Sequence, residues 1–445
     1  MFGVRSLPLL KISLLQARET MSKFTSKLCL SALLGAALIS SVQASDKPSA
    51  QGFNENNVQG EITYYTHKTD FVENGTYDKF VKEFKKLYPK VTDVKVIGFG
   101  EYRSLLRQRM NTNDYGDLVQ TLTSIPANQY PNYYEPLNVL YTTDEIYFPD
   151  TWEYQGKRYG ISIGNSLEGL VYNKTVFKEA GIEAPIKTIS ELYSACEKIK
   201  KLGKTPIFIN FGTKWALQQF DKLPIVIEGN ADVDDKMLTQ KAPFSDKNSS
   251  FYKSLVILNH LVDNKYVEED LITHQWEDSK NAFAKGQVGM MYLGNWVIPQ
   301  IIDKGGESKD IGFMPMPGND SGVLKAQMNH DFGYAISKHS KNKDTAKAFL
   351  KFLLEKSNFD ELTGFIPTIK AKTTTLPQLQ EYLSYNPVVL QTKPDNVKFI
   401  QAANKAKIDF NSGGYIQDLV TAEDFEKALE KLDNRWERAI KRLKK

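Results

Sequence analysis

The chain has 445 residues, of which 25% are charged, and a formal net charge of +4. This length exceeds the roughly 250–300 residues at which a single hydrophobic core stops growing, so we expect two cores. Residues 1–44 hold five basic side chains and one acidic one, which accounts for the whole net charge. The remainder is therefore formally neutral, which gives no support for binding to nucleic acid or to an anionic membrane.

The N-terminal segment predicts secretion. A basic stretch that begins at Met21 is followed by the apolar run Leu28–Ile39 and by small residues that end at Ala44. The apolar run is shorter than the about 20 residues that span a bilayer, and the small residues suit cleavage by signal peptidase. We expect residues 1–44 to be a signal peptide with its true start at Met21, which directs the protein to the periplasm. The polar residues 45–58 are expected to form a disordered tail.

Strands and helices alternate after that tail. Apolar periodicity predicts, in chain order, the strand Glu61–Thr66, a helix from about Thr76 to Tyr88, the strand Val94–Ile97, the helix Tyr102–Met110 and the strand Asp117–Leu122. This alternation is typical of a parallel sheet covered by helices. Ligands of such sheets bind beyond the carboxyl ends of the strands, so the residues after each strand are candidate site residues.

The later part of the chain predicts further helices and a buried strand. Thr188 and Glu191 form a capping box that starts a helix over residues 188–202, and Cys196 lies on its apolar stripe as a small core residue. The other predicted elements are the strand Val288–Leu293, the helix Thr345–Leu354 and a last helix from about Thr421.

Five motifs follow one another in a specific order. They are the Gly-x-x-Tyr-Gly hairpin of Gln155–Ser162 with the following Glu168–Lys174, then Phe283–Trp296, Ile311–Pro317, Gly333–Lys338 and Gly364–Pro367. This order resembles the family 1 extracellular solute-binding proteins, the sugar-binding receptors of ABC importers that include maltose-binding protein. The resemblance covers roughly residues 60–370.

The resemblance implies an α/β fold of the type II periplasmic-binding-protein class. Two lobes, each a mainly parallel sheet flanked by helices, enclose a ligand cleft at a hinge. Carried onto this chain, lobe 1 comprises residues 59–164 plus 316–362, and lobe 2 comprises residues 166–313 plus 363–445. The chain would cross between them near Gly164–Ser166 and Pro315–Pro317, where glycine and proline suit a hinge.

The resemblance also implies a function. A carbohydrate, either a mono- or an oligosaccharide, would be captured by hinge closure and delivered to the transmembrane permease subunits of an ABC transporter. Neither a cofactor nor a metal is implied, no nucleic acid is a partner, and a monomer is expected.

The candidate ligand-binding residues follow strand ends or lie in the family's motifs. Trp296 is the first candidate for stacking on a sugar ring, because the family places a tryptophan after this glycine, and Trp215 is the second. Charged groups such as Asp331 would bond the hydroxyl edges. The remaining candidates are Tyr65, His67, Glu101, Thr121, Ser124, Ser166, Asn295, His330 and Tyr415, the last as a residue that closes over the cleft.

Alternatives stay open at the level of the sequence. The same fold also binds iron, polyamines, phosphonates or peptides, and Tyr64, Tyr65 and His67 would suit a ferric site. A third possibility is a receptor of this fold that docks on a chemoreceptor or a kinase instead of an importer. A secreted polysaccharide-degrading enzyme needs two carboxylates flanking the bond, but no motif singles out such a pair. No nucleophile, phosphate-binding or zinc motif is present, and the five histidines lack metal-ligand spacing.

Overall fold

The computed structural model describes residues 52–443 except Thr123, His274, Gln275, Asp395 and Asn411. The expected signal peptide and residues 45–51 lie outside the described residues.

The described chain alternates strands with helices over most of its length. The strands are β1 Gly60–Thr66, β2 Val91–Gly98, β3 Leu118–Gln120, β4 Glu153–Tyr154, β5 Lys157–Arg158, β6 Ile161–Ser162, β7 Asn165–Asn173, β8 Thr205–Ile207, β9 Val288–Gly294, β10 Ile311–Pro315, β11 Lys325–His330, β12 Gly333–Ile336 and β13 Val388–Gln391. The helices are α1 Thr69–Glu73, α2 Thr76–Leu87, α3 Tyr102–Met110, α4 Tyr130–Tyr133, α5 Lys174–Glu179, α6 Ile189–Lys201, α7 Gln219–Glu228, α8 Val233–Thr239, α9 Ser250–Asp263, α10 Trp276–Ala284, α11 Val297–Asp303, α12 Lys343–Glu355, α13 Phe359–Thr363, α14 Pro377–Ser384, α15 Val397–Ala406, α16 Gly414–Val420 and α17 Phe425–Leu443.

The first sheet has the strand order β2-β1-β3-β12-β6. Its N-terminal strands β1, β2 and β3 run parallel, as the alternation predicted, and β12 joins them antiparallel. Successive side chains of a strand point to opposite faces. Tyr64 therefore packs into one core cluster with α2 and α12, whereas Tyr65 packs into another with α3.

The second sheet has the order β13-β11-β7-β9-β8, with β10 also paired to β7. Every residue of β7 is buried, so this strand is the centre of the sheet. It runs antiparallel to β9, β10 and β11, which makes the sheet mixed rather than mainly parallel. The predicted strand at Val288–Leu293 is confirmed as β9.

The chain passes between the two sheets three times. The passages are β6 to β7, β11 to β12, and β12 to β13. Backbone hydrogen bonds tie these passages side by side, joining Ile163 N to Phe332 O (2.8 Å), Asp331 N to Gly164 O (3.0 Å), Asn165 N to Ile366 O (2.9 Å) and Ile366 N to Asn165 O (2.8 Å). We call the segments 163–165, 331–332 and 366 the hinge ladder.

The second passage between the sheets lies at residues 331–332, which differs from the position expected from the sequence. Pro315–Pro317 was expected there, but β10 and the later strand β11 both pair with β7 in the second sheet. The first sheet is rejoined only at Gly333. The reason is that Lys325–His330 is an alternating polar and apolar strand with no motif of its own, so its pairing depends on contacts distant in sequence.

Helix α6 begins as the sequence predicted. The hydroxyl of Thr188 accepts the backbone N–H of Glu191 at 3.0 Å, while the carboxylate of Glu191 accepts the N–H of Lys187 at 2.7 Å. The first bond satisfies a donor that the helix itself leaves unpaired, and the second ties the residue before the cap to the first turn. Cys196 is fully buried in the core, as expected.

Two terminal expectations were wrong in part. Residues 55–57, within the expected disordered tail, form a 3-10 helix, because Val58 is buried in the core and Asn57 bonds Asp344 at 3.0 Å. The last helix starts at Phe425 rather than near Thr421, because Thr421 ends the separate helix α16.

Candidate functional site

Three tryptophans meet on the side of the second sheet, and one of them, Trp296, directly follows Asn295, whose side chain bonds the carbonyl of Gly364 near the hinge ladder. Trp215 opens a 3-10 helix, Trp276 is the first residue of α10, and Trp296 precedes α11. Their ring centroids are 5.1 Å apart for Trp215–Trp276, 5.7 Å for Trp215–Trp296 and 5.9 Å for Trp276–Trp296. All three are half-buried, so part of each remains exposed. We call this group the tryptophan triangle.

The tryptophan triangle brings together the two predicted stacking residues and one that the sequence analysis did not propose. The ammonium of Lys280, one turn along α10, lies 4.9 Å from the Trp276 ring centroid and holds that ring by a cation–π contact. No local pattern marks Trp276, because its role depends on contact with residues distant in the chain.

Trp296 lies where the two sheets meet. Its ring packs against core residues of the first sheet and against the cluster under β7 and β9. Gly294 makes room for it, because a Cβ at that position would lie 2.3 Å from Trp296 Nε1. This is the physical reason for a glycine two residues before the tryptophan.

Glu168 is a buried carboxylate on β7, directly opposite Gly294 of β9. One of its oxygens, Oε1, accepts hydrogen bonds from Ser166 Oγ at 3.2 Å and Asn329 Nδ2 at 3.1 Å. The candidate Ser166 therefore lies at the site but orients this carboxylate. Glu168 belongs to one of the sequence motifs but was not predicted as a site residue, because the direction of its side chain depends on strand pairing.

His67 lies on the first-sheet side, next to the hinge ladder. Its ring packs against Phe332 with centroids 4.6 Å apart, and its Nδ1 is 2.7 Å from Gln120 Oε1. Burial lowers the pKa of His67, the positive charge of Lys68 lowers it further, and Asp331 opposes the shift. The imidazole is thus biased toward its neutral form, which both donates and accepts hydrogen bonds.

Asp331 belongs to the hinge ladder, and His330 directly precedes it. His330 packs its ring against Trp152 at 4.9 Å between centroids, and its Nδ1 is 2.9 Å from the Asp331 carbonyl oxygen. Asp331 accepts the N–H of Phe332 at 2.6 Å through its side chain. Both residues therefore have structural partners at the hinge.

Asn295 and Thr121 are also tied to the backbone. Asn295 is fully buried, accepts the N–H of Leu167 at 2.7 Å and donates to the carbonyl of Gly364. Thr121 is buried and accepts the N–H of Gly333 at 3.1 Å. The side chains hold the hinge segments in place and have few groups left for a ligand.

Tyr65 and Tyr415 are core residues. Tyr65 packs against Phe99 and under Arg109 on the α3 side of the first sheet. Tyr415 is buried within the second-sheet core and donates to the carboxylate of Asp221, so it does not close over the cleft. Burial raises the pKa of both partners, Tyr415 and Asp221.

Glu101 and Ser124 are exposed residues at the edge of the first sheet. Ser124 Oγ accepts a hydrogen bond from Arg107 at 3.2 Å. Glu101 precedes α3 without capping it through its side chain.

The arrangement speaks against a ferric site built from Tyr64, Tyr65 and His67. The two tyrosines point to opposite faces of β1 and enter different core clusters. Within residues 52–443, apart from the five undescribed positions, no group of three or more His, Cys, Asp or Glu could hold a metal ion. In the same part of the chain, no helix is long and apolar enough to cross a membrane.

Two mixed α/β sheets joined through a hinge, with aromatic rings beside it, define a two-lobe solute-binding protein. The chain belongs to the family of bacterial extracellular solute-binding proteins, whose model matches residues 68–358. The family resemblance and the two-lobe α/β fold class expected from the sequence are confirmed, whereas the second sheet is mixed rather than mainly parallel. Membership of this family places the protein in the periplasm or outside the cell.

Similar proteins bind sugars. A multiple sugar-binding protein of Streptococcus mutans is 25% identical over 331 residues, which cover 72% of this chain and 77% of that protein. The melibiose/raffinose/stachyose-binding protein of Bacillus subtilis is 22% identical over 340 residues, covering 74% and 76%. A manno-oligosaccharide-specific solute-binding protein of Bifidobacterium animalis subsp. lactis, solved with mannotriose, has a TM-score of 0.75 at 26% identity and covers 87% of this chain and 96% of its own.

Proposed function

We propose that this protein is a carbohydrate receptor that captures a mono- or oligosaccharide by hinge closure and delivers it to the permease of an ABC transporter. The observation that carries the proposal is the tryptophan triangle beside the hinge ladder. Sugar rings present C–H faces that pack on indole rings, and hydroxyl edges that need polar partners. Trp215, Trp276 and Trp296 supply the first kind of surface, and Glu168 and His67 lie near enough to the hinge to supply the second.

The proposed mechanism is closure of two lobes, one around each sheet, about the hinge ladder. A ligand that contacts both sides stabilises the closed form by its difference in affinity for the two states. Trp296 suits this role because it touches core residues of both sheets. Secretion through the signal peptide at residues 1–44, docking of the closed form on permease subunits and a monomeric state complete the proposal.

A carbohydrate suits the site better than the other cargoes considered. A polyamine site would require several carboxylates, whereas the tryptophan triangle presents aromatic rings, with Glu168 opposite Gly294 and with Asp331 tied to the N–H of Phe332. Tyr64 and Tyr65 point to opposite faces of β1, so they do not form one iron site with His67. The relatives of the preceding section that are named for a ligand are named for sugars.

A ligand screen tests the proposal. Residues 45–445 are screened by thermal shift against mannotriose, raffinose, stachyose, diacetylchitobiose, spermidine and ferric citrate, and each bound sugar is recovered and analysed. A ligand at 100 times its Kd stabilises the fold by about 2.7 kcal/mol, which gives a clear shift. A shift with one sugar that is recovered intact supports a receptor. A shift with spermidine or ferric citrate alone overturns the carbohydrate, and consumption of the sugar identifies an enzyme.

A further inference from the structure

We propose that Glu168 is a ligand-binding residue whose second carboxylate oxygen accepts a hydrogen bond from a hydroxyl of the sugar ring that lies against Trp296. The inference rests on the carbohydrate-receptor function proposed above. It adds a charged, specificity-determining residue that was not among the candidate site residues expected from the sequence.

The Glu168 carboxylate is held in a fixed orientation. The residue is only 3% exposed, and Oε1 receives hydrogen bonds from Ser166 and Asn329. Asn329 is itself fixed, because its Oδ1 accepts from Gln327 Nε2 at 2.8 Å. A group locked by such supporting bonds presents its remaining oxygen in one direction.

The remaining oxygen, Oε2, is buried and has no hydrogen-bond partner among the described residues. A buried polar atom without a hydrogen-bond partner lowers the stability of the fold, and the loss is larger when the atom belongs to a charged group. Buried polar groups are ordinarily bonded, so each exception requires an explanation. A ligand that donates a hydrogen bond to Oε2 would supply one.

The position of Oε2 indicates which ligand group would meet it. A Cβ at Gly294 would lie 3.2 Å from Glu168 Oε2 and 2.3 Å from Trp296 Nε1. The free oxygen and the indole N–H edge therefore border the same glycine, at the edge of the proposed stacking ring.

The pair formed by Oε2 and Nε1–H favours a hydroxyl over an ammonium group. The carboxylate oxygen accepts a hydrogen bond, and the indole nitrogen donates one. A hydroxyl donates to the first and accepts from the second, whereas an ammonium group offers donors alone. The geometry thus points to a neutral sugar with a hydroxyl directed at Gly294.

Two matched variants of the mature chain test the inference. Glu168→Gln keeps the size of the side chain and removes its charge. Glu268→Gln makes the same change at another buried carboxylate of the second-sheet side, whose oxygens accept the backbone N–H groups of Ile209 at 2.9 Å and Phe211 at 2.8 Å. Both variants and the wild type are unfolded with urea and titrated calorimetrically with mannotriose, raffinose, diacetylchitobiose and spermidine.

We expect Glu168→Gln to bind the sugar at least about 10-fold more weakly, because a charged hydrogen bond is lost. Its stability without ligand should be equal to or above that of the wild type, whereas Glu268→Gln should unfold at lower urea concentration. Unchanged sugar affinity in Glu168→Gln overturns the inference and leaves the receptor function standing. A loss of stability in Glu168→Gln like that of Glu268→Gln also overturns it, whether or not a probe binds. Binding of spermidine alone overturns the carbohydrate function instead, and its loss in Glu168→Gln would assign the carboxylate to a cation.

Discussion

Asn295 accepts the backbone N–H of Leu167 at 2.7 Å and so joins the end of β9 to the start of β7 beside the hinge ladder. The same side chain donates to the carbonyl of Gly364, which leads into the third passage between the sheets. One buried amide thus fixes three chain segments. The family motifs around Trp296 and Gly364 meet at this side chain, although they lie far apart in sequence.

Replacing Asn295 with leucine should destabilise the apo protein. The change keeps the approximate size of the side chain but leaves a buried N–H and a buried carbonyl without partners, each costing about 1–3 kcal/mol. Urea unfolding measures the loss. The same replacement at the exposed Asn132, whose side chain donates to the nearby Gln129, should change stability by no more than about 0.5 kcal/mol. Equal effects in the two variants would contradict the hinge role of Asn295.

Replacing Trp296 with alanine should weaken sugar binding by roughly 2–4 kcal/mol, as expected for a central desolvated contact. Calorimetric titration measures this. Trp436→Ala is the matched control, because that ring is fully buried and its Nε1 donates to the Met237 carbonyl at 3.1 Å. It should lower apo stability by about 3–5 kcal/mol and leave affinity unaltered. The site assignment fails if Trp296→Ala behaves like this control.

Replacing Gly294 with alanine should impair binding through the neighbouring indole. The added methyl group would lie 2.3 Å from Trp296 Nε1, so the ring has to shift. We expect at least a 10-fold loss of sugar affinity, equivalent to about 1.4 kcal/mol, and an altered tryptophan emission spectrum of the apo protein. Gly322→Ala is a control in a positive-φ turn with open space around the position, and it should leave both the affinity and the spectrum unchanged. Wild-type affinity in Gly294→Ala would contradict the placement of the ligand.

His67 should make the fold less stable as the pH falls. Its pKa in the folded state is below the ordinary 6.5, chiefly because of burial. As the pH falls below 6.5, the unfolded chain takes up a proton that the folded chain does not, so the free energy of unfolding decreases until the folded pKa is reached. Urea unfolding from pH 8 to pH 5 should show a shallower decrease in His67→Gln. Identical pH profiles for the variant and the wild type would show that His67 does not cause the loss of stability at low pH.

Asp221 should make the fold less stable as the pH rises, the opposite of the effect of His67. Burial raises its pKa in the folded state well above the ordinary 3.8. Above pH 3.8 the unfolded chain releases a proton that the folded chain keeps, so this residue lowers stability as the pH rises toward the folded pKa. Asp221→Asn should therefore gain stability relative to the wild type between pH 4 and pH 7 in the same unfolding assay. A constant difference between the two proteins across that range would contradict this.

The sequence predicted those elements whose signal is local. The periodicity of α2, α3 and α6 and the buried run of β9 are visible in short windows, and the ordered motifs indicated the family. The path of β11 was missed because pairing with β7, rather than composition, decides its sheet.

The candidate site was predicted only in part for a related reason. Trp215 and Trp296 meet, as expected of stacking candidates. Tyr415 lies in the core instead, where its hydroxyl donates to Asp221. The sequence does not show this pairing, so the prediction that Tyr415 closes over the cleft was wrong. Trp276 and Glu168 were missed because the direction of each side chain follows from neighbours distant in the chain. Motifs indicate which loops surround a site, while strand register decides which side chains enter it.

The three passages between the sheets also have a topological consequence. Each half of the molecule is assembled from stretches that are not contiguous in the chain, so neither half can be excised as a single fragment. A protease that cuts the passage at residues 331–332 would leave two covalent connections and the bonds between Asn165 and Ile366. The nicked protein would therefore remain one particle on gel filtration and separate into two pieces only in denaturant.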